Sequence, residues 1–226
     1  MPPMQLVGNQ RSRRNLSLNA FSLIELLVVM AIISILLVAA VPIFSNSFNN
    51  ARQTSREIVK AHLQQARAHA IASGTATAIA IPVLNSGAAL GARGISLFEV
   101  ENQTGIYLPL KDSAGDDRLL QRWEKLPGNF HFLSSSQVSS AQKTIVDAPQ
   151  TLATKYRSQA LDCHFIVFSP HGQIVHPASG TPILIALAQA GRQGNSLTLT
   201  QKNAGKPVFD IFQVNRLTGR THFIDP

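Results

Sequence analysis

The sequence predicts an α+β fold, in which a long N-terminal α-helix packs on an antiparallel β-sheet domain. Residues 26–41 are apolar with the single exception of Ser34. From 48 to 70, apolar residues recur at steps of three and four, which is typical of an amphipathic helix. After Gly74 the period changes to two, and short apolar runs alternate with turn residues as far as the C-terminus.

The two helical patterns are expected to form one helix over 21–73, hydrophobic on all sides in its first half and amphipathic in its second half. Pro42 lies between the halves. A proline removes one backbone hydrogen bond and kinks or breaks a helix. Because the amphipathic pattern continues beyond Pro42, we expect a kink there and an end at Gly74, a residue that commonly follows the last helical turn.

The first half of this helix has the length of a membrane span. Residues 21–44 exceed the roughly 20 apolar residues that cross a bilayer. A secretory signal peptide is the alternative, but its apolar region is shorter, about 7–15 residues. The preceding twenty residues contain no acid and three basic residues, which place the N-terminus in the cytoplasm by the positive-inside rule: Arg11, Arg13 and Arg14.

Glu25 is the one charged residue of this apolar segment. A charge at bilayer depth costs roughly 2.5–3.5 kcal/mol on insertion scales, so such a residue is a candidate functional group. The simpler interpretation is a side chain that reaches the interface from near the helix end. A carboxylate also has no use in the apolar region of a signal peptide, which argues further against that alternative.

The run Ala20-Phe-Ser-Leu-Ile-Glu25 resembles the cleavage and methylation signature of type IV prepilins and type II secretion pseudopilins. The resemblance implies that a prepilin peptidase cuts between Ala20 and Phe21 and N-methylates Phe21. It also implies that Glu25 pairs with the terminal amine of a neighbouring subunit in a filament, and a proline is common in the family at the position of Pro42. Ala20 departs from the glycine that is usual before the cut.

The predicted organisation is therefore a cytoplasmic leader over 1–20, a helix over 21–74 with its transmembrane segment at 21–44, and a soluble β-rich domain over 75–226. Residues 134–162 are polar and poorly patterned, and we expect a long exposed loop there. The strands are expected at 75–83, 95–100, 119–123, 130–133, 164–168, 173–176, 183–187, 196–200, 208–214 and 221–224.

Short landmarks in the second half make the resemblance more specific. They are similar to those of H-type minor pseudopilins, FimT-like minor pilins and the Verru_Chthon cassette D pilin-like family, which one sequence does not separate. The landmarks are Gln65-Ala-Arg-Ala-His-Ala-Ile, Trp123-Glu-Lys-Leu-Pro-Gly128, Phe168-Ser-Pro-His-Gly172 and Thr218-Gly219-Arg220.

The sequence offers little support for an enzyme or for a cofactor. Cys163 precedes His164 at the start of an apolar run, where a buried small residue is a better interpretation than a catalytic pair. His171 and His176 flank a predicted turn, but two histidines without a third ligand do not indicate a metal. Phosphate-loop, nucleophile-elbow and HExxH patterns are not found in the sequence.

The resemblance implies a minor pilin or pseudopilin that is assembled as a structural subunit of a type IV pilus or a type II secretion pseudopilus. Its partners would be other pilins, the prepilin peptidase, the inner-membrane assembly platform and, before assembly, lipid. The protein would be single-pass, with its C-terminal domain in the bacterial periplasm.

Two alternatives remain open: an uncleaved single-span membrane protein, and a DNA-binding minor pilin. The net charge of +8 permits contact with nucleic acid without demonstrating it. Arg216 and Arg220, beside a predicted turn, are the candidate phosphate contacts.

Overall fold

The structure is a computed structural model that describes residues 23–85, 90–138, 144–147, 152–156, 159–178, 182–200, 202–203 and 206–224. The chain divides into two compact units, Met1–Ser45 and Asn46–Pro226. The predicted leader over 1–20 and the predicted cleavage site at Ala20 and Phe21 lie outside the described residues.

The predicted long helix is present as α1, Leu23–Ser73. Its helical backbone continues through Pro42, whose side chain is outside the described set. The predicted kink at Pro42 stays a prediction. The helix ends at Gly74, which adopts a left-handed backbone with φ of 68°. Such a conformation is strained for any residue with a Cβ, and it ends the helix where the sequence indicated.

The described residues after Gly74 form mainly β-strands, with two short helical segments among them. In chain order the elements are β1 Thr77–Pro82, β2 Gly94–Gln103, β3 Ile106–Pro109, β4 Leu119–Lys125, β5 Phe130–Leu133, α2 Ser135–Val138, a 3-10 turn Ile145–Asp147, β6 Leu152–Tyr156, β7 Gln159–Phe168, β8 Ile174–His176, β9 Ile183–Gln193, β10 Ser196–Leu199, β11 Lys202–Asn203, β12 Lys206–Pro207, β13 Asp210–Val214 and β14 Thr221–Ile224.

These strands make two main antiparallel sheets. The first has the order β3-β2-β1-β7-β6, with β4 paired to β2 and β8 paired to β7. The second has the order β10-β9-β13-β14, with β5 paired to β9. A small pair, β11 and β12, stands apart from both. The α+β architecture predicted from the sequence is thus confirmed.

The core lies where the second half of α1 packs against both sheets. One face of this helix half is buried through Val59, Leu63, Ala66 and Ala70. The sheet residues that pack in the same cluster include Ile79 and Ile81 of β1, Leu97 of β2, Phe168 of β7, Leu187 of β9 and Phe212 of β13. Helix spacing and strand alternation therefore supply the apolar cluster that lies between α1 and the two sheets.

Strand β1 is buried on both faces, which explains its alternation of large and small residues. Ile79 is paired with Leu97 of β2 on one side and with Ile166 of β7 on the other, and all three face α1. Ala78 and Ala80 point to the opposite face, where they pack with aromatic residues that include Phe98 and Phe165. The sequence indicated this division, with the isoleucines on one face and alanines on the other.

The prediction of a long exposed loop at 134–162 is wrong in its described parts. The segment contains α2, the 3-10 turn, β6 and the beginning of β7, and Val138 and Ile145 are buried. The Asp147 carboxylate accepts hydrogen bonds from the backbone N–H groups of Ser135 and Thr144, both at 2.8 Å. Burial alone would raise the pKa of Asp147, but these hydrogen bonds hold it below its usual value.

Candidate functional site

The first part of α1 presents apolar side chains to solvent on every side. Each described side chain from 23 to 36 is exposed, and Leu23 and Ile35 retain 83% and 69% of their accessible surface. Monomeric soluble proteins rarely carry so large a contiguous apolar surface unless it is an interaction surface. Among the described residues, no helix combines the length and hydropathy that crossing a membrane requires.

The exposed apolar segment at 23–36 contains two polar side chains, Ser34 and Glu25. The Ser34 hydroxyl donates a hydrogen bond to the carbonyl of Met30, one turn earlier, at 2.8 Å. This bond removes the main polar cost of placing a serine in apolar surroundings. Glu25 lies in the first turn of α1 and its side chain is exposed. A carboxylate in the first turn is stabilised by the positive end of the helix dipole.

The second half of α1 is held to the second sheet by a buried carboxylate. Arg52 donates its Nε–H to Asp210 Oδ1 at 3.0 Å, and Arg56 donates its Nε–H to Asp210 Oδ2 at 2.9 Å. Burial alone would raise the pKa of Asp210, but the hydrogen bonds and charges of Arg56 and Arg52 hold it below its usual value. The two arginines are one turn apart on α1, so one carboxylate is shared between successive turns.

The two candidate nucleic-acid residues do not line the same cleft. Arg220 lines a cleft of about 430 Å³ whose other described residues are Lys60, Gln64, Arg67, Gly219, Thr221 and His222. Arg216 is not part of that lining, and its backbone carbonyl accepts a hydrogen bond from Ile174 at 2.8 Å. The structure thus brings Arg220 to Lys60 and Arg67 on α1. A nucleic-acid contact at Arg216 and Arg220 stays a prediction.

Lys60 and Arg67 were missed at the sequence level although a signal existed. Together with Gln64 they are spaced four and three residues apart, which places them on one face of a helix. That face is the one that the Leu217–Gly219 turn approaches, because Gly219 packs against the stem of Arg67. Only the fold shows that the turn and the helix meet.

Cys163 is buried, as its sequence context predicts, whereas the two histidines beside the β7–β8 turn differ in burial. Cys163 is buried in the core, and burial raises the pKa of its thiol far above its usual range. The His176 ring is buried and stacks on Phe165 with ring centroids 4.1 Å apart, whereas His171 is exposed. Within the described ranges, no three His, Cys, Asp or Glu side chains are grouped as metal ligands would be.

Residues 19–41 match the model of the prokaryotic N-terminal methylation motif. The matched residues include Ala20 and Phe21, between which cleavage is predicted, and Glu25. Phe21 is also the residue expected to be methylated. The chain thus carries a prokaryotic N-terminal methylation motif. The motif covers the predicted processing site and most of the exposed apolar surface of α1, so the two features belong to one segment.

Two solved structures similar to this chain are crystal structures of the type IV minor pilin FimU of Pseudomonas aeruginosa, strain PAO1. The crystal form in space group P65 is 18% identical, with a TM-score of 0.39 over 76% of this chain and 92% of FimU. The form in space group P21 is also 18% identical, with a TM-score of 0.41 over 78% and 90% of the two chains. A search of curated protein sequences gave no significant match.

Proposed function

We propose that this protein is a minor pilin or pseudopilin, a structural subunit that is assembled into a type IV pilus or a type II secretion pseudopilus. The observation that carries the proposal is the methylation motif at 19–41, followed directly by a helix whose apolar side chains are exposed over 23–36. The motif supports processing, and the helix supplies the surface that a filament core would bury.

The exposed helix surface needs an apolar environment. Burying one large apolar side chain contributes about 1.5–3 kcal/mol, and eleven such side chains between Leu23 and Leu36 are exposed. Lipid would satisfy this surface before assembly, and neighbouring helices of the same kind would satisfy it in a filament. Residues 21–44 would therefore act as a membrane anchor that is later transferred to the filament core.

Glu25 would set the position of one subunit against the next. After cleavage, the methylated amine of Phe21 carries a positive charge that a carboxylate of a neighbouring helix can match. An ion pair away from water is strong when both partners are present, and it is costly when one partner is missing. Subunits placed out of step would leave both charges unmatched, so the pair favours one axial register.

Processing and location follow from the same segment. The leader over 1–20 would stay in the cytoplasm until the prepilin peptidase removes it, and the β-rich domain over 75–226 would fold in the periplasm. Assembly would involve the inner-membrane platform and other pilins. The chain would be the substrate of the prepilin peptidase, which would cleave it and methylate its new N-terminus.

Mass spectrometry of the protein from its native membrane tests the proposal. We expect an N-terminus at Phe21 that carries one added methyl group. The matched variant Ala20→Gly, which restores the usual residue before the cut, should be processed at an equal or higher rate. An intact leader would favour an uncleaved single-span membrane protein, and a terminus beyond Pro42 would favour a secreted protein. Either result would remove the pilin proposal.

A further inference from the structure

A basic cleft lies at the junction of the two sheets. It has a volume of about 340 Å³, near the lower end of small-ligand sites. Its lining comes from the turn before β2, the end of β4, the beginning of β5 with the residue before it, and the end of β9. The lining residues are Gly91, Arg93, Lys125, Asn129, His131, Ala190, Gly191 and Arg192.

The two arginines of the basic cleft are held in place by the backbone. Arg93 donates an Nη2–H to the carbonyl of Leu126 at 3.2 Å, and Arg192 donates its Nε–H to the carbonyl of Gly194 at 3.0 Å. The Nη1 atom of Arg192 lies 2.9 Å from the point that a Cβ on Gly91 would occupy. Glycine at 91 therefore makes room for a guanidinium that lies over the backbone.

The positive charge of the basic cleft is not balanced within the cleft. No carboxylate is present among its described lining residues. The adjoining acid in sequence, Glu124, lies 3.7 Å from His62 Nε2 on α1. The sequence around these lining residues, 90–98, 125–135 and 182–200, contains no aspartate or glutamate. Arg93 Nε is also buried without a hydrogen-bond partner among the described residues.

The pKa of His131 responds to the positive charges of the cleft. The residue is buried, and its Nδ1 lies 2.8 Å from the carbonyl of Asn129, so Nδ1 carries the proton. Burial, with added repulsion from Arg93, Arg192 and Lys125, lowers its pKa to about 4. No acid in the described part of the chain contributes an opposing effect. His131 is therefore neutral at physiological pH, in a region of net positive potential.

We propose that the basic cleft binds a phosphate group through Arg93, Lys125 and Arg192. Guanidinium groups bind phosphate oxygens in a fixed, two-pronged geometry, and lysine adds a mobile point charge. Three cations exceed what one carboxylate would neutralise, which favours a phosphate. The proposal is independent of filament assembly, since no described lining residue of the cleft belongs to α1.

The test uses the full chain in a non-ionic detergent and a phosphate-free buffer, with histidine labelled for NMR. Inorganic phosphate is titrated in one series, and phosphatidylglycerol is added to the micelles in another. Bound phosphate offsets the three cations, so the pKa of His131 should rise by about one unit. The His131 resonances are assigned with His131→Asn.

Lys125→Gln combined with Arg192→Gln should weaken phosphate binding at least tenfold, because both residues are exposed cations of the cleft. Arg122→Gln is the matched control, since Arg122 is exposed on β4 but does not line the cleft. A response to lipid alone would assign the phosphate to a membrane headgroup, and a response to inorganic phosphate alone would assign it to a soluble ligand. No response to either, or equal binding by the double variant and Arg122→Gln, would overturn the proposal.

Discussion

Arg56 of α1 donates its Nε–H to Asp210 of β13 at 2.9 Å, across 154 positions of sequence. The Arg56 guanidinium also lies over the ring of Phe223 of β14, 4.3 Å from its centroid. Asp210 is only 1% exposed, so its charge depends on the arginines of the helix for compensation. This arrangement attaches the second half of α1 to the second sheet at a defined position.

Asp210→Asn should destabilise the domain by about 2–3 kcal/mol. Hydrogen bonds to charged groups contribute roughly 1.5–3 kcal/mol, and the partly exposed arginines can recover some solvation, which limits the loss. Urea unfolding of a fragment that begins at Phe48 measures the change, since every buried apolar residue in the described part of the chain lies between Val59 and Val214. Asp162→Asn, at an exposed site on β7, is the control. Equal effects of the two variants would show that the Asp210 cluster contributes nothing.

Gly219→Ala should destabilise the same fragment by about 2–4 kcal/mol. Its φ is 64°, and a Cβ there would lie 2.7 Å from both the Arg67 Cδ and the backbone oxygen of Gly172. The backbone conformation costs roughly 1–2 kcal/mol, and forced overlap in a packed site costs about 1–3 kcal/mol more.

Gly194→Ala provides the matched control for this substitution. Gly194 has a similar φ of 60°, but no described atom lies within 4 Å of the point that a Cβ would occupy. Gly194→Ala should therefore lower the free energy of unfolding only through the backbone conformation, by about 1 kcal/mol. The difference between the two variants in urea midpoint measures how closely the C-terminal turn packs on α1. If the two losses were equal, the close contact with Arg67 and Gly172 would not exist in solution.

The sequence predicted those parts of the fold that rest on long, regular patterns. The end of α1 at Gly74 and the alternation of isoleucine and alanine in β1 follow from local composition. Strands β3 and β6 were missed because neither has a clear apolar pattern. Both lie at the ends of the first sheet's strand order, β3 exposes Ile106 and Leu108, and β6 belongs to the polar 134–162 segment. The order in the 134–162 segment depends on the Asp147 carboxylate, whose contacts with Ser135 and Thr144 cannot be read from a hydrophobic pattern.

The two candidate sites also differ in whether their residues are adjacent in the sequence or are brought together only by the fold. The processing site is a linear motif, so its residues are adjacent in sequence and could be recognised there. The basic cleft is assembled by strand pairing, in which Gly94 is opposite Lys125 and His131 is opposite Ala188. Its three cations are far apart in sequence, and no periodicity connects Arg93, Lys125 and Arg192. Only the sheet topology brings them together.

The stability of the domain should fall as the pH is lowered from about 6.5 to about 4. His131 has its pKa lowered from 6.5 to about 4 in the folded protein. Between these values the unfolded chain binds a proton that the folded chain does not, so protonation favours unfolding. The loss approaches about 3 kcal/mol for this group, taking 1.36 kcal/mol per pKa unit. Urea midpoints, determined in phosphate-free buffer at several pH values between about 4 and 6.5, measure this loss of stability.

His131→Asn should flatten this pH dependence, because asparagine can keep a donor near the Asn129 carbonyl without titrating. His62 and His176 also have lowered pKa values caused mainly by burial, so part of the slope should remain. His171→Asn, at an exposed position, is the matched control. A pH profile of His131→Asn that coincides with that of the unaltered domain would show that His131 is not the group responsible.

Glu25→Ala should separate processing from assembly. The substitution leaves the apolar helix surface intact, so membrane insertion and cleavage after Ala20 should persist, as a size shift on a gel would show. Incorporation into sheared filaments should fall at least tenfold, because an unmatched terminal amine would have to be buried among apolar helices. Glu57→Ala is the control, since the Glu57 carboxylate is exposed and its described contact is a hydrogen bond from Gln53 at 3.0 Å. Unchanged incorporation of Glu25→Ala would contradict the proposed pairing between Glu25 and the neighbouring amine, while cleavage at Phe21 would still stand as evidence for processing.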